Sequence, residues 1–188
     1  TYANLQPWFQ KLVAIDAAYR KLIANIHNSE DWFAALFLVR AHSNFLVAIS
    51  LSASGQFPEA CVILRSCIEN GLYGLYFCKN PDSRETWLRR HDGETSKKKV
   101  REEFRIRTLL DLLGSLNAEQ GKVANVLYER TIDYGAHPNE LGLMQALQMT
   151  EDSDNIKFKC IYASSNSDQF QFALKSTAQV AVCVLDIF

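Results

Sequence analysis

The sequence predicts a mainly α fold, a helical bundle of about six to seven helices with a small β-hairpin before the last one. Apolar residues recur at three- and four-residue steps along most of the 188 residues, which is the period of a helix with one buried face. The 8 glycines and 4 prolines fall mostly between these periodic segments, as helix punctuation does. Alternation of apolar and polar residues replaces the helical period only between about residues 142 and 163.

The first helix is expected from about Ala3 to Ile26, with Leu12, Ile15, Tyr19, Leu22 and Ile26 on one face. Asn28 to Asp31 offers a turn and an N-cap. A second helix from about Asp31 to Ser52 carries Trp32, Leu36, Val39, Phe45 and Ile49 and stops at Ser54-Gly55-Gln56. The third starts near Pro58, a favoured first-turn residue, and runs to about Cys78. It is apolar nearly all round and so belongs at the centre of the bundle.

Asn80-Pro81-Asp82 breaks the third helix. Residues 82–91 and 95–113 are expected to form two further helices, and a sixth should span about Ala118 to Gly135, ended by Pro138. Leu143 to Met149 and Ile156 to Tyr162, joined by the polar run from Thr150 to Asn155, read as the hairpin. A last helix from about Asp168 to Phe188 should pack back on the bundle. With no internal repeat, the whole chain, 1–188, reads as one domain.

Composition narrows the function classes. Hydrophobic residues make up 48%, enough for a substantial core and too many for a disordered chain. Twenty Lys and Arg against 21 Asp and Glu exclude a globally cationic binder. No uninterrupted apolar run approaches the roughly 18–20 residues of a membrane span, so no membrane association is expected. Nor does a signal-peptide pattern open the sequence. The five cysteines (Cys61, Cys67, Cys78, Cys160 and Cys183) are odd in number, lie in apolar surroundings and form no Cys-x-x-Cys. They argue against a disulfide framework and a zinc ribbon, and for a reducing, cytoplasmic setting. Phosphate-binding Gly loops, Gly-x-Ser-x-Gly and His-Glu-x-x-His are absent, and the four histidines have no metal-ligand spacing, so neither metal nor cofactor is expected.

The chemistry-bearing candidate is the stretch from Tyr128 to Asn139. Arg130 and His137 are seven residues apart, about two turns, which in a regular helix puts both on one face. A guanidinium beside an imidazole suits phosphodiester cleavage: histidine moves the proton of a ribose 2′-hydroxyl, and arginine neutralises the charged phosphorane. Gly135 and Ala136 leave room for a ligand. The same gap separates Arg20 from His27 and Arg84 from His91, so spacing alone does not single out a site. The plainer alternatives are an ion pair of Arg130 with Glu129 or Asp133, and His137 as a cation at a helix C-terminus.

Two other groups invite comment. Arg65 and Glu69 stand at i, i+4 in the most apolar helix, with Tyr73 one turn on. They form either a structural clamp or supports for the imidazole of His137. From Arg84 to Arg107 nine Lys and Arg face five acids, a local excess of four positive charges, with Trp87 and Phe104 interleaved. This stretch is either an RNA-contacting surface, through Arg89, Arg90, Lys97, Lys98, Lys99 and Arg101, or a solvated helix pair laced with ion pairs.

The Arg-x6-His pair late in a helical chain resembles the signature of the HEPN superfamily. Leu64-Arg65-Ser66-Cys67-Ile68-Glu69 resembles the Leu-Arg-Ser-x-x-Glu stretch of bacterial HEPN-like proteins, and Tyr134-Gly135-Ala136-His137-Pro138 their Tyr-x-x-His ending. The likeness covers about residues 30 to 140. Thr131 stands where many active members carry Asn, Asp or His. The resemblance implies an RNA-acting helical protein, in its active form a metal-independent endoribonuclease of the toxin or phage-defence type. In that reading Arg130 and His137 are catalytic and Tyr134, Asn139, Arg65, Glu69 and Tyr73 are supporting. The same resemblance implies a homodimer, RNA or a nucleotide as ligand, and an antitoxin or other partner protein. The alternative is a non-catalytic HEPN-like module that binds a nucleotide or a protein.

Overall fold

A computed structural model describes residues 6–27, 32–136, 140–145, 147–152, 155–160 and 167–188. The helices are α1 (Gln6–Ala24), α2 (Trp32–Ala53), α3 (Phe57–Lys79), α4 (Ser83–Leu88), α5 (Glu94–Glu103), α6 (Ile106–Leu116), α7 (Ala118–Thr131), α8 (Glu140–Gln145) and α9 (Ser167–Ile187). Strands β1 (Leu147–Asp152) and β2 (Asn155–Cys160) pair antiparallel, with Met149 opposite Phe158, and precede α9.

α3 is the central helix, packing against α2, α6, α7 and α9. Pro58 sits in its first turn, where a missing N–H costs nothing. α2 ends at Ala53, and Gly55, two residues on, reverses the chain toward α3 with a φ of 75°. The main core gathers Leu12 and Tyr19 of α1, Leu38 and Phe45 of α2, Leu64, Ile68 and Leu72 of α3, and Leu174, Val180 and Val184 of α9. The Tyr19 hydroxyl donates to the Ala181 carbonyl at 3.1 Å, satisfying a polar tip inside this core.

Leu143 to Gln145, expected in the first hairpin strand, lie in α8, and Thr150 to Asp152 and Asn155, expected in the turn, belong to the paired strands. Three further differences from the sequence reading have physical causes. The helix expected over 95–113 is two helices, because Arg105 is extended (ψ 132°). Val100 and Leu109 are nine residues apart, which at about 100° per residue puts them on opposite faces of one continuous helix. Breaking the helix buries both, together with Phe104 and Leu113. α2 buries Phe33, Ala34, Leu38, Ala41 and Phe45, and turns Trp32 (55% exposed), Leu36 (53%) and Val39 (48%) to the surface. By length and composition α2 and α9 could each cross a bilayer, although charged and polar residues interrupt them.

The third difference lies at the end of α7. The helix stops at Thr131 and widens into a π-type turn, Ile132–Ala136, with non-helical angles at Gly135. This turn packs against α3. A Cβ on Gly135 would stand 2.1 Å from the Pro58 carbonyl oxygen, so the backbones can meet only through glycine.

Candidate functional site

Arg130 occupies the last turn of α7 and reaches across to α9. Its Nη1 donates to Gln179 Oε1 at 2.7 Å and to Ser176 Oγ at 3.3 Å. Its guanidinium carbon lies 5.5 Å from the centre of the Phe172 ring. Phe172 in turn packs on Phe57 and on the half-buried Tyr134, with centroids 5.3 and 5.4 Å away. Neither Glu129 nor Asp133 is the partner; both acceptors are neutral and lie more than 40 residues further along the chain. The positive charge is thus held in place without being neutralised. Cys61 lies close enough to feel it, although burial dominates and pushes that thiol up to about 12.

The regular-helix argument for Arg130 and His137 does not carry through the wide turn, which interrupts the helical phase between them. His137 and Asn139 lie outside the described residues. The space that Gly135 offers is filled by the Pro58 backbone and is not open to a ligand. Thr131 is buried, and its hydroxyl donates to the Tyr128 carbonyl at 2.7 Å, so it faces the core rather than Arg130's surroundings.

Arg65, Glu69 and Tyr73 form a second group, on α3. Arg65 Nε donates to Glu69 Oε1 at 2.9 Å, and the Tyr128 hydroxyl donates to the same oxygen at 3.2 Å. Burial works against the Arg65 charge, but its bonds to Glu69 and its contact with Tyr128 outweigh this and leave the guanidinium above its ordinary value. Burial and then the Glu69 charge push Tyr128 up to about 12, and the same two causes raise Tyr73. Both tyrosines are therefore neutral at physiological pH. Tyr128 and Arg130 are two positions apart on α7, or about 200°. Arg65 and Glu69 therefore clamp α3 to α7 on one side while Arg130 ties α7 to α9 on another.

The cationic segment spans α4, a 3-10 turn at Arg89–His91, α5 and the start of α6. Arg89 pairs with Glu85 (2.9 Å), Lys97 with Glu94 (2.7 Å) and Lys98 with Glu102 (4.0 Å). Arg90, Lys99 and Arg101 are exposed and make no ion pair among the described residues, as is also true of Arg105 and Arg107. The interleaved aromatics are not free for stacking. Phe104 is buried against Tyr73 at 5.2 Å, and Trp87 meets Phe33 edge-on at 5.8 Å. Between α4 and α5 opens a polar cavity of about 580 Å³.

Sequence reasoning missed this cavity and Arg130's partners on α9, which have no local signature. It also missed a hydrogen-bonded histidine: His42 Nε2 lies 2.6 Å from Asp16 Oδ1, and Arg20 Nε donates to Asp16 Oδ2 at 2.8 Å. Among the described residues no group of three or more His, Cys, Asp or Glu is placed to hold a metal ion. No family model, curated protein or solved structure matches this chain.

Proposed function

We propose that this protein is an RNA-acting, HEPN-like helical module of the cytoplasm, working as a homodimer. It would bind RNA through the face around α5 and cleave it at Arg130 and His137 without a metal. The observation that carries the reading is a set of exposed cations, Arg90, Lys99, Arg101, Arg105 and Arg107, with no ion pair among the described residues, on a chain of net charge −1. Such a local excess attracts a polyanion while the rest of the surface repels it. Arg130 supports the cleavage step. Gln179, Ser176 and Phe172 fix the guanidinium without neutralising it, as stabilisation of a phosphorane requires. His137 would move the proton of the 2′-hydroxyl.

A second reading, a binding module without catalysis, draws on the same contacts, since they also suit a strut between α7 and α9. Incubation of end-labelled single-stranded and structured RNA with protein in EDTA separates the two. Wild type should bind both RNAs and leave 2′,3′-cyclic phosphate ends, and His137→Ala should bind without cutting. Replacing Arg90, Lys99 and Arg101 together by Ala should weaken binding and flatten the slope of log affinity against log salt by about 2. Binding without cleavage by wild type would select the second reading. No RNA binding by wild type would overturn both.

A further inference from the structure

Resting on the RNA-binding reading, we propose that the cavity between α4 and α5 seats a single nucleotide of the bound RNA and selects guanine over uracil. The cavity measures about 580 Å³, inside the roughly 300–1,000 Å³ range of small-ligand sites. Its charged lining is mixed: Asp82, Glu85 and Glu103 against Arg89 and Lys99. Arg89 and Glu85 satisfy one another at 2.9 Å. The side chains of Asp82, Glu103 and Lys99 make no hydrogen bond or ion pair among the described residues. The space thus offers two uncommitted carboxylates and one uncommitted ammonium.

A bare phosphate backbone does not match this set, because the carboxylates repel it. A nucleotide whose base carries N–H donors does. Lys99 takes the phosphate, and the carboxylates accept from the base edge. Guanine presents N1–H and the 2-amino group side by side, which one carboxylate accepts in a bidentate pair. Uracil presents a single N–H between two carbonyl oxygens, which face the carboxylates unfavourably. No aromatic ring lines the cavity, so stacking, which every base shares, does not blur the choice.

The test uses 2′-O-methyl oligonucleotides, which bind but offer no 2′-hydroxyl to cleave, and reads fluorescence anisotropy. An oligo-uridine with one central guanine should bind wild type about tenfold more tightly than all-uridine, the discrimination of one bidentate pair. Asp82→Asn and Glu103→Gln lie on exposed or half-exposed positions and should fold normally by circular dichroism. In at least one of them the preference for guanine should disappear while affinity for all-uridine stays equal or rises, because a negative charge has gone. Equal wild-type affinity for both oligonucleotides would overturn the inference and leave RNA binding intact. So would retention of the preference by both variants. If wild type bound neither oligonucleotide, the RNA-binding reading would itself fall and take the cavity assignment with it.

Discussion

Asp16 and His42 stand 26 residues apart on different helices and meet at 2.6 Å beside Tyr19, whose ring stacks on the imidazole at 5.0 Å. Burial raises the Asp16 carboxyl, but hydrogen bonds from His42 and Arg20 outweigh it and hold the group below its ordinary value of 3.8. A carboxyl depressed in the folded state stabilises fully above its unfolded value and loses that contribution as pH falls through the folded one. Asp16→Asn should therefore cost about 1 kcal/mol at pH 7, a figure reduced for partial solvent screening. Wild type and variant should converge once pH drops below the folded carboxyl's value. Urea unfolding midpoints between pH 7 and 2 check this, and a pH-independent difference would count against it. The pair has no signature in the sequence, since a 26-residue gap has no meaning until α1 and α2 lie side by side.

Among the elements, the wide turn after α7 ties the end of that helix to α3. It leads from Arg130 toward residue 137 and is seated on the first turn of α3 through Gly135. Gly135→Ala would place a methyl group 2.1 Å from the Pro58 carbonyl oxygen, and a backbone oxygen cannot swing aside as a side chain can. The variant should lose about 2–3 kcal/mol of stability, read as a lower melting temperature, because both elements must separate. A melting temperature equal to that of wild type would show that the contact is looser than described. The sequence marked the glycine but assigned its small size to ligand space. The identity of the neighbour, Pro58, lies 77 positions away and is set by helix packing. The split of α5 from α6 has a similar origin. The apolar positions of both halves were legible, but not that Val100 and Phe104 pack with Phe33 and Phe77 while Leu109 and Leu113 join the main core.

For the whole molecule, the bundle leaves apolar surface in water at two places. One is the outer stripe of α2, with Trp32, Leu36, Val39 and Val47. The other is the short α8 with the hairpin, where Leu143, Met144, Met149, Ile156 and Phe158 are exposed. Contiguous exposed apolar patches on a soluble protein often mark interaction surfaces. The proposed homodimer should appear in light scattering as twice the 21.3 kDa chain mass. Leu36→Asp with Val39→Asp, both outside the core, should shift the mass toward the monomer if α2 forms the seam. A monomeric wild type at tens of micromolar would remove the dimer from the proposal.

The helical period, the glycine and proline punctuation and the alternating segment before the last helix determined the mainly α bundle and its hairpin, because these are local properties of a chain with one buried face per element. They also determined that α3 lies at the centre, since a helix apolar on nearly every side has nowhere else to go. The excess of positive charge from Arg84 to Arg107 was countable in the sequence. Which of those cations are already spent on Glu85, Glu94 and Glu102, and which remain exposed, was decided by rotamers and helix ends. The tertiary structure alone decided that Arg130 turns to α9 while Arg65 and Glu69 turn to Tyr128. The physical reason is angular. Positions two apart on a helix point in nearly opposite directions, and the packing of neighbouring helices chooses what each direction meets.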